Sequence, residues 1–326
     1  MFTKVSPTPP LFIIESITIM NPDLSIQIGK MRWKNPVTTG SGTVGQGDMF
    51  QNFYDLNILG ALTTKSVSLK KRGGNPPPRI AETPSGYLNA IGLQNPGVDA
   101  FIKKYKTFFE GLSIPIIVSI AATSVEDYAE VAKRLTQEMR IHALEINISC
   151  PNIREEGLQF SCSALAAASV VKAVRRASDL TLITKLTPNV ATDVNVEVAR
   201  ACVSEGSDAI AAINTLQGMA IDLNKRKPKL ANVTGGLSGP AIKPIALRWV
   251  YDLAQKIQAP IIAMGGIATA EDALEFIVCG ATAVAVGTAN FYNPLAAPEI
   301  IEGMKTWLSK QNISKISDLR KSLTTM

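Results

Sequence analysis

Histidine occurs once in the 326 residues, as His142. A Ser-His-Asp hydrolase would need that one residue in its site, and a histidine-rich metal centre cannot be assembled. Cysteine is scarce as well. Cys150, Cys162, Cys202 and Cys279 include no Cys-x-x-Cys pair, which argues against a zinc ribbon or a self-contained iron–sulfur cluster with the usual ligand spacing. No metal is therefore expected, and four cysteines without a disulfide framework suit a reducing cytosol. No run of about 20 apolar residues is present to span a membrane. Aromatic residues make up 6%, and none interleave with the basic clusters at Lys70-Lys71-Arg72, Lys172 with Arg175-Arg176, and Lys225-Arg226-Lys227 with Lys229. The net charge of +6 thus reads as solvated loops or an attraction for small anions, and nucleic acid is not an expected partner.

The first nineteen residues hold Pro7, Pro9 and Pro10 and a short apolar stretch broken by Glu15. They lack the basic n-region, long apolar run and small-residue cleavage site of a signal peptide. The segment reads as an extension outside the catalytic domain at 20–326. Met20 fits the start of the protein better than Met1, because a strand pattern (Leu24, Ile26, Ile28) begins just after it; a disordered or surface-packed extension is the alternative.

What the chain has in quantity is apolar residues, 46% against 18% charged, enough for one large core. Short apolar, β-branched runs recur at 36–39, 61–64, 114–120, 142–148, 180–186, 209–214, 260–264 and 283–286. Amphipathic stretches lie between the later ones, at 125–139, 164–176, 194–205, 242–258 and 270–278, the last opening on a Thr269-Ala270-Glu271-Asp272 cap. Continuous apolar strands alternating with such helices give a parallel sheet covered by helices. Eight units closing on themselves make an α/β fold of the (β/α)8 TIM-barrel type. The competing open doubly wound sheet lacks a convincing Gly-x-Gly-x-x-Gly turn after its first strand, since no suitable helix follows the glycines at 40–47.

A barrel builds its site at the C-terminal strand ends, and here those ends are polar. They read Gly40-Ser41-Gly42, Lys65-Ser66, Asn147-Ile148-Ser149-Cys150-Pro151-Asn152, Lys185, Asn214-Thr215, Gly265-Gly266 and Gly287-Thr288. A lone lysine after a strand is ordinarily solvated; lysines, amides and a cysteine converging on one rim are not explained as loop caps. Bare glycine backbone after strands seven and eight lets several N–H groups approach one phosphate, so a phosphorylated cofactor or substrate is expected there, and a mononucleotide fits. Two lysines beside a delocalised ring would stabilise negative charge developing on reduction. Amides at Asn89, Asn147, Asn152 and Asn214 match a planar ring with alternating donors and acceptors. Cys150 reads as a base or nucleophile, against a buried apolar role, which is assigned instead to Cys162, Cys202 and Cys279. His142 reads as a packed or surface residue.

Taken together, Thr64-Lys65-Ser66, the run from Asn75 through Arg79, Glu82, Gly86 and Asn89 to Gly97, and Asn147 to Asn152 resemble the dihydroorotate dehydrogenases. So do Lys185-Leu186-Thr187-Pro188-Asn189, Ile213-Asn214-Thr215, Thr234 to Pro240 and Gly265-Gly266-Ile267. The match runs from about Leu24 to Trp307, and its details resemble the catalytic subunit of the NAD-linked class (class 1B). The resemblance implies FMN-dependent oxidation of (S)-dihydroorotate to orotate in de novo pyrimidine (UMP) biosynthesis, in the cytoplasm. It implies Cys150 as the base taking a proton from C5 while a hydride leaves C6 for the flavin. It implies Lys65, Asn89, Ile91, Gly92, Leu93, Asn147, Asn152, Asn214 and Thr215 around the substrate. It implies Gly40, Ser41, Lys65, Lys185, Gly235, Gly236, Gly265, Gly266, Gly287 and Thr288 around FMN. A second subunit carrying FAD and an iron–sulfur cluster would pass electrons to NAD, the barrel forming a homodimer core within a heterotetramer.

Neighbouring readings remain. A fumarate-linked dihydroorotate dehydrogenase also carries the cysteine and needs no partner. Dihydropyrimidine dehydrogenases share Ser149-Cys150-Pro151 but place histidine after the proline, where Asn152 stands. A flavin- or phosphate-binding barrel without catalysis is the non-enzyme reading. The membrane-bound quinone-linked class carries serine in place of Cys150. The chain departs from the family at Ser161-Cys162-Ser163, where glycine followed by Thr-Asp-Pro is expected in a lid, and at Ala220, where a larger, often basic residue is usual.

Overall fold

The computed structural model describes residues 21–149 and 157–324; Cys150, Asn152 and the extension at 1–19 lie outside them. Among the described residues one parallel sheet carries eight strands: β1 (Val37–Thr39), β2 (Leu62–Thr63), β3 (Ile116–Ile120), β4 (Ala143–Asn147), β5 (Thr181–Lys185), β6 (Ala209–Ala212), β7 (Ile261–Met264) and β8 (Ala283–Val286). Their order is β1-β8-β7-β6-β5-β4-β3-β2. All eight fall within the runs expected from the sequence.

Threonine hydroxyls join the two ends of that sheet. Gly60 N donates to Val37 O at 2.9 Å. Beyond it the Thr39 hydroxyl donates to Thr63 O at 2.8 Å, Thr63 N donates back to the same hydroxyl at 3.1 Å, and the hydroxyls of Thr38 and Thr63 lie 3.0 Å apart. The sheet is thereby closed into the (β/α)8 barrel.

The helices pack outside it with one apolar stripe each. In α1 (Val98–Glu110) the buried face includes Val98, Phe101 and Ile102. In α2 (Val125–Glu138) it is Tyr128, Val131, Ala132 and Leu135, and in α3 (Ala164–Ala177) it is Ala167, Val170, Val171 and Val174. That spacing places four side chains on one side of each helix. Ser124 and Ser163 cap α2 and α3 through Asp127 N and Ala166 N. The outer ring continues with α4 (Thr192–Ser204), α5 (Lys243–Lys256), α6 (Ala270–Val278) and α7 (Ala296–Lys310). Thr269 and Asp272 form the capping box expected for α6. The connection from β1 to β2 departs from the alternation, carrying two short 3-10 turns, Phe50–Asn52 and Leu56–Ile58, in place of an α-helix.

Two additions frame the barrel. At its N-terminal end a hairpin, Ile26–Ile28 with Met31–Trp33, buries Ile28, Met31 and Trp33 against Ala61, Ala143, Ala209, Ala211 and Ala283 of the barrel interior. Small interior residues make room for Trp33, whose exposure is 0%. At the other end lies an antiparallel sheet in the order Leu216–Met219, Thr234–Ser238, Gly86–Asn89, Ile80–Thr83. It brings residues from after β2 and after β6 together over the strand ends. No helix among the described residues is long and apolar enough to cross a membrane.

Candidate active site

A cavity of about 420 Å³ opens at the C-terminal ends of the strands, a size ordinary for a small-molecule site. Every rim segment singled out in the sequence, where described, supplies lining: Gly40 and Ser41 after β1, Lys65 after β2, Asn147 ending β4, Lys185 ending β5, Asn214 and Thr215 after β6, Gly265 and Gly266 after β7, Gly287 and Thr288 after β8. The antiparallel sheet and the turn after it add Asn89, Ile91, Gly92 and Leu93. Gly92 and Leu93 both have positive φ, +74° and +54°, and a Cβ on Gly92 would lie 2.7 Å from Asn75 N. That turn therefore needs glycine.

The polar side chains hold one another. The Oδ1 of Asn147 accepts from the Ser149 hydroxyl at 2.9 Å and from Ser149 N at 3.2 Å. The amide of Asn214 donates to the same hydroxyl at 2.8 Å, and its Oδ1 accepts from Thr215 N at 2.7 Å. Ser66 bridges Asn147 (3.4 Å) and Ser119 on β3 (2.8 Å). From outside the barrel, Tyr128 on α2 donates its hydroxyl to Asn147 O at 2.8 Å. The Asn89 amide donates to Gly236 O at 3.3 Å. The amides are thus fixed before any ligand arrives, with part of their capacity already used.

The two lysines differ. Lys65 is half-buried, and burial together with the charge of Arg79 holds its ammonium below the usual lysine range. Lys185 is buried at 5% exposure. Its Nζ stands 3.7 Å from Glu145 Oε1 on β4, beyond hydrogen-bond reach. A buried ammonium lining a cavity calls for an acceptor, and a ring carbonyl or ring nitrogen supplies one. At Gly287 a Cβ would meet nothing nearer than Thr43 Cγ2 at 3.8 Å. Packing within the protein does not demand glycine there, whereas a ligand lying against the main chain would. The donor set thus suits a flat heterocycle joined to a phosphate.

The dihydroorotate dehydrogenase family model matches residues 23–308. The chain belongs to this family. Among curated relatives it is 55% identical to the dihydroorotate dehydrogenase B (NAD(+)) catalytic subunit of Trichlorobacter lovleyi, over 92% of this chain and 98% of the relative. It is 51% identical to the protein of the same description from Geotalea uraniireducens, over 93% and 99%. In fold it resembles a crystal structure of DHODH from Eimeria tenella in complex with ferulenol, with a TM-score of 0.78 and 22% identity over 94% of this chain and 89% of that one.

Two residues expected against the cofactor lie elsewhere in this dihydroorotate dehydrogenase fold. Gly235 and Gly236 are buried in the antiparallel sheet and do not line the cavity. A Cβ on Gly235 would stand 2.6 Å from Asn89 O, and one on Gly236 would stand 2.0 Å from Thr215 Oγ1. Their lack of a side chain lets the Asn89 strand and Thr215 close up behind the site. Cys162 is also corrected, being exposed at the end of the short helix Gly157–Cys162 rather than buried. Cys202 is buried, which pushes its thiol up to about 12, and Cys279 is partly buried; neither lines the cavity. His142 immediately precedes β4 at the far end of the barrel, its Nδ1 accepting from Ile116 N at 3.1 Å.

Sequence reasoning missed Tyr87, Ser238, Pro240, Phe291 and Tyr292, which complete the cavity wall. The rings of Tyr87 and Phe291 meet edge-on with centroids 6.1 Å apart. Their position relative to the strand ends depends on the antiparallel sheet and the turn after β8; Tyr87, Ser238 and Pro240 fall inside the runs that carry the resemblance but have no role assigned there, and Phe291 and Tyr292 fall outside those runs.

Proposed function

We propose that the chain oxidises (S)-dihydroorotate to orotate with FMN as cofactor, in de novo pyrimidine (UMP) biosynthesis in the cytoplasm. The observation that carries the reading is Lys185, a buried lysine lining the cavity whose acidic neighbour, Glu145 at 3.7 Å, stands beyond hydrogen-bond reach. FMN bound there supplies a hydride acceptor that can release electrons singly. Gly265, Gly266, Gly287 and Thr288 would hold its phosphate through main-chain donors. Gly40 and Ser41 would lie along it, and Lys185 would answer the ring's acceptor edge.

Above it, Asn89, Asn147, Asn152 and Asn214 would orient the substrate ring, with Thr215 and the main chain of Ile91, Gly92 and Leu93 beside it. Lys65 would hold the substrate's negative charge against the cofactor. The Cys150 Sγ would receive the proton from C5. An ordinary thiol titrates near ~8.5, so turnover should rise toward alkaline pH as the thiolate forms. The similarity to NAD-linked catalytic subunits supports a partner subunit, which on the family resemblance would carry FAD and an iron–sulfur cluster and reduce NAD; the chain's own cysteine spacing offers no such cluster. A homodimer of barrels at the centre of a heterotetramer is part of this proposal, as is residues 20–326 forming the catalytic domain, with residues 1–19 an extension outside it.

The test is Cys150→Ala, assayed for orotate formation with an artificial dye as acceptor. The flavin should be retained at wild-type stoichiometry while turnover falls by at least about a hundredfold, the lower end for a positioned acid or base. Undiminished turnover would refute the base assignment. NAD reduction by the chain alone would contradict the need for a partner.

A further inference from the structure

Glu145 takes no part in lining the cavity, yet it is buried inside the barrel with a side-chain exposure of 4%. It projects into the interior from β4 between Ala143 and Asn147, its Oε1 without a hydrogen-bond partner and 3.7 Å from Lys185 Nζ. Buried ion pairs contribute little to stability, because desolvation offsets their attraction, and an apolar residue of similar volume serves a core as well. This carboxylate therefore calls for a different account.

Its surroundings supply one. On one side of Lys185 the paired strand β6 offers Ala211; on the other, β4 offers Asn147 and, diagonally, Glu145. Across the cavity the charged group is a second cation, Lys65. Among the described residues that face Lys185, Glu145 is the one negative charge. A buried lysine without a counter-charge on its own side has nothing to hold its amine in place, and one that swings away cannot stabilise the charge that reduction would bring to a bound ring.

We propose that Glu145 is a positioning residue, acting through Lys185, that holds this lysine's amine aimed at the cavity, where it would meet the charge that reduction brings to a bound flavin. The proposal rests on the FMN reading. The sign of its effect is diagnostic. A carboxylate acting only through space opposes reduction, so removing it would raise the flavin's reduction potential. A carboxylate that maintains Lys185 favours reduction, so removing it lowers the potential.

The test is a spectroelectrochemical titration of the flavin at neutral pH in the purified wild-type protein and in Glu145→Gln, Lys185→Gln and the double variant. Glu145→Met, similar in volume, serves if the glutamine variant does not fold. The reduction equilibrium should fall at least tenfold in Glu145→Gln, about 30 mV for a two-electron couple. The double variant should show no further fall below Lys185→Gln, because the carboxylate has no lysine left to maintain. A raised or unchanged potential, or a further fall in the double variant, overturns the proposal. Wild-type protein that holds no flavin overturns the FMN reading and this inference with it, whereas a flavoprotein indifferent to Glu145 overturns the inference alone.

Discussion

Replacing Gly287 with alanine separates what the fold needs from what the ligand needs. The new methyl would find Thr43 Cγ2 at 3.8 Å as its nearest neighbour, an ordinary van der Waals contact. The backbone at Gly287 is not in the left-handed region, so alanine carries no strain there. The ligand-free protein should therefore lose nothing, and restriction of the unfolded chain could add about 0.4–1 kcal/mol to its stability. Gly236→Ala is the contrasting case. Its methyl would lie 2.0 Å from Thr215 Oγ1 and 2.6 Å from Thr215 Cβ, forcing Thr215 aside at a cost of about 1–3 kcal/mol. Urea unfolding of the flavin-stripped proteins measures both. Flavin affinity, followed by fluorescence, should fall at least tenfold in Gly287→Ala, equivalent to about 1.4 kcal/mol, because on the proposed reading the methyl would take space the cofactor needs. If Gly287→Ala binds flavin as the wild type does, or unfolds more than about 1 kcal/mol more easily, this loop is no phosphate cradle and the reasoning from empty space fails.

Lys65→Met should remove charge stabilisation and lower turnover about a hundredfold or more. Because folding depresses the Lys65 pKa, its contribution to stability is present above the unfolded value and is lost as pH falls through the folded value. At neutral pH the charge is thus a burden on the fold, and the variant should unfold at higher urea than the wild type even as activity disappears; lower stability would contradict this. His142 is held below the usual imidazole range by burial and by Arg140. Its contribution is likewise present above about 6.5 and lost as pH falls through the folded value. One histidine in the chain gives one imidazole signal by NMR, which should titrate below that of the unfolded protein, while His142→Asn should leave turnover within about twofold, its site being remote from the chemistry.

The barrel was legible because its strands are apolar on both faces, so that each reads as a continuous run. The rim residues were legible because polarity there interrupts those runs at the point where a barrel places its site. The antiparallel sheet escaped notice because its strands are half-exposed and glycine-bearing, Gly218, Gly235 and Gly236 among them. Gly235 and Gly236 were assigned to the cofactor for the same reason, since a glycine pair that admits a ligand and one that admits a neighbouring strand look alike in sequence. Glu145 was hidden by its setting, a charged residue in an otherwise apolar run, and its partner lies on the next strand. The cap at Thr269 was legible because every group it needs is local.

The hairpin that carries Trp33 has a consequence for traffic. Ile28, Met31 and Trp33 stop the barrel axis from below with no exposed surface to speak of, so nothing passes through the barrel from that end. Among the described residues, the opening left to substrate and product is the mouth beneath the antiparallel sheet. Electrons need no doorway, so the proposed partner could collect them against a wall and leave the mouth clear for the next substrate.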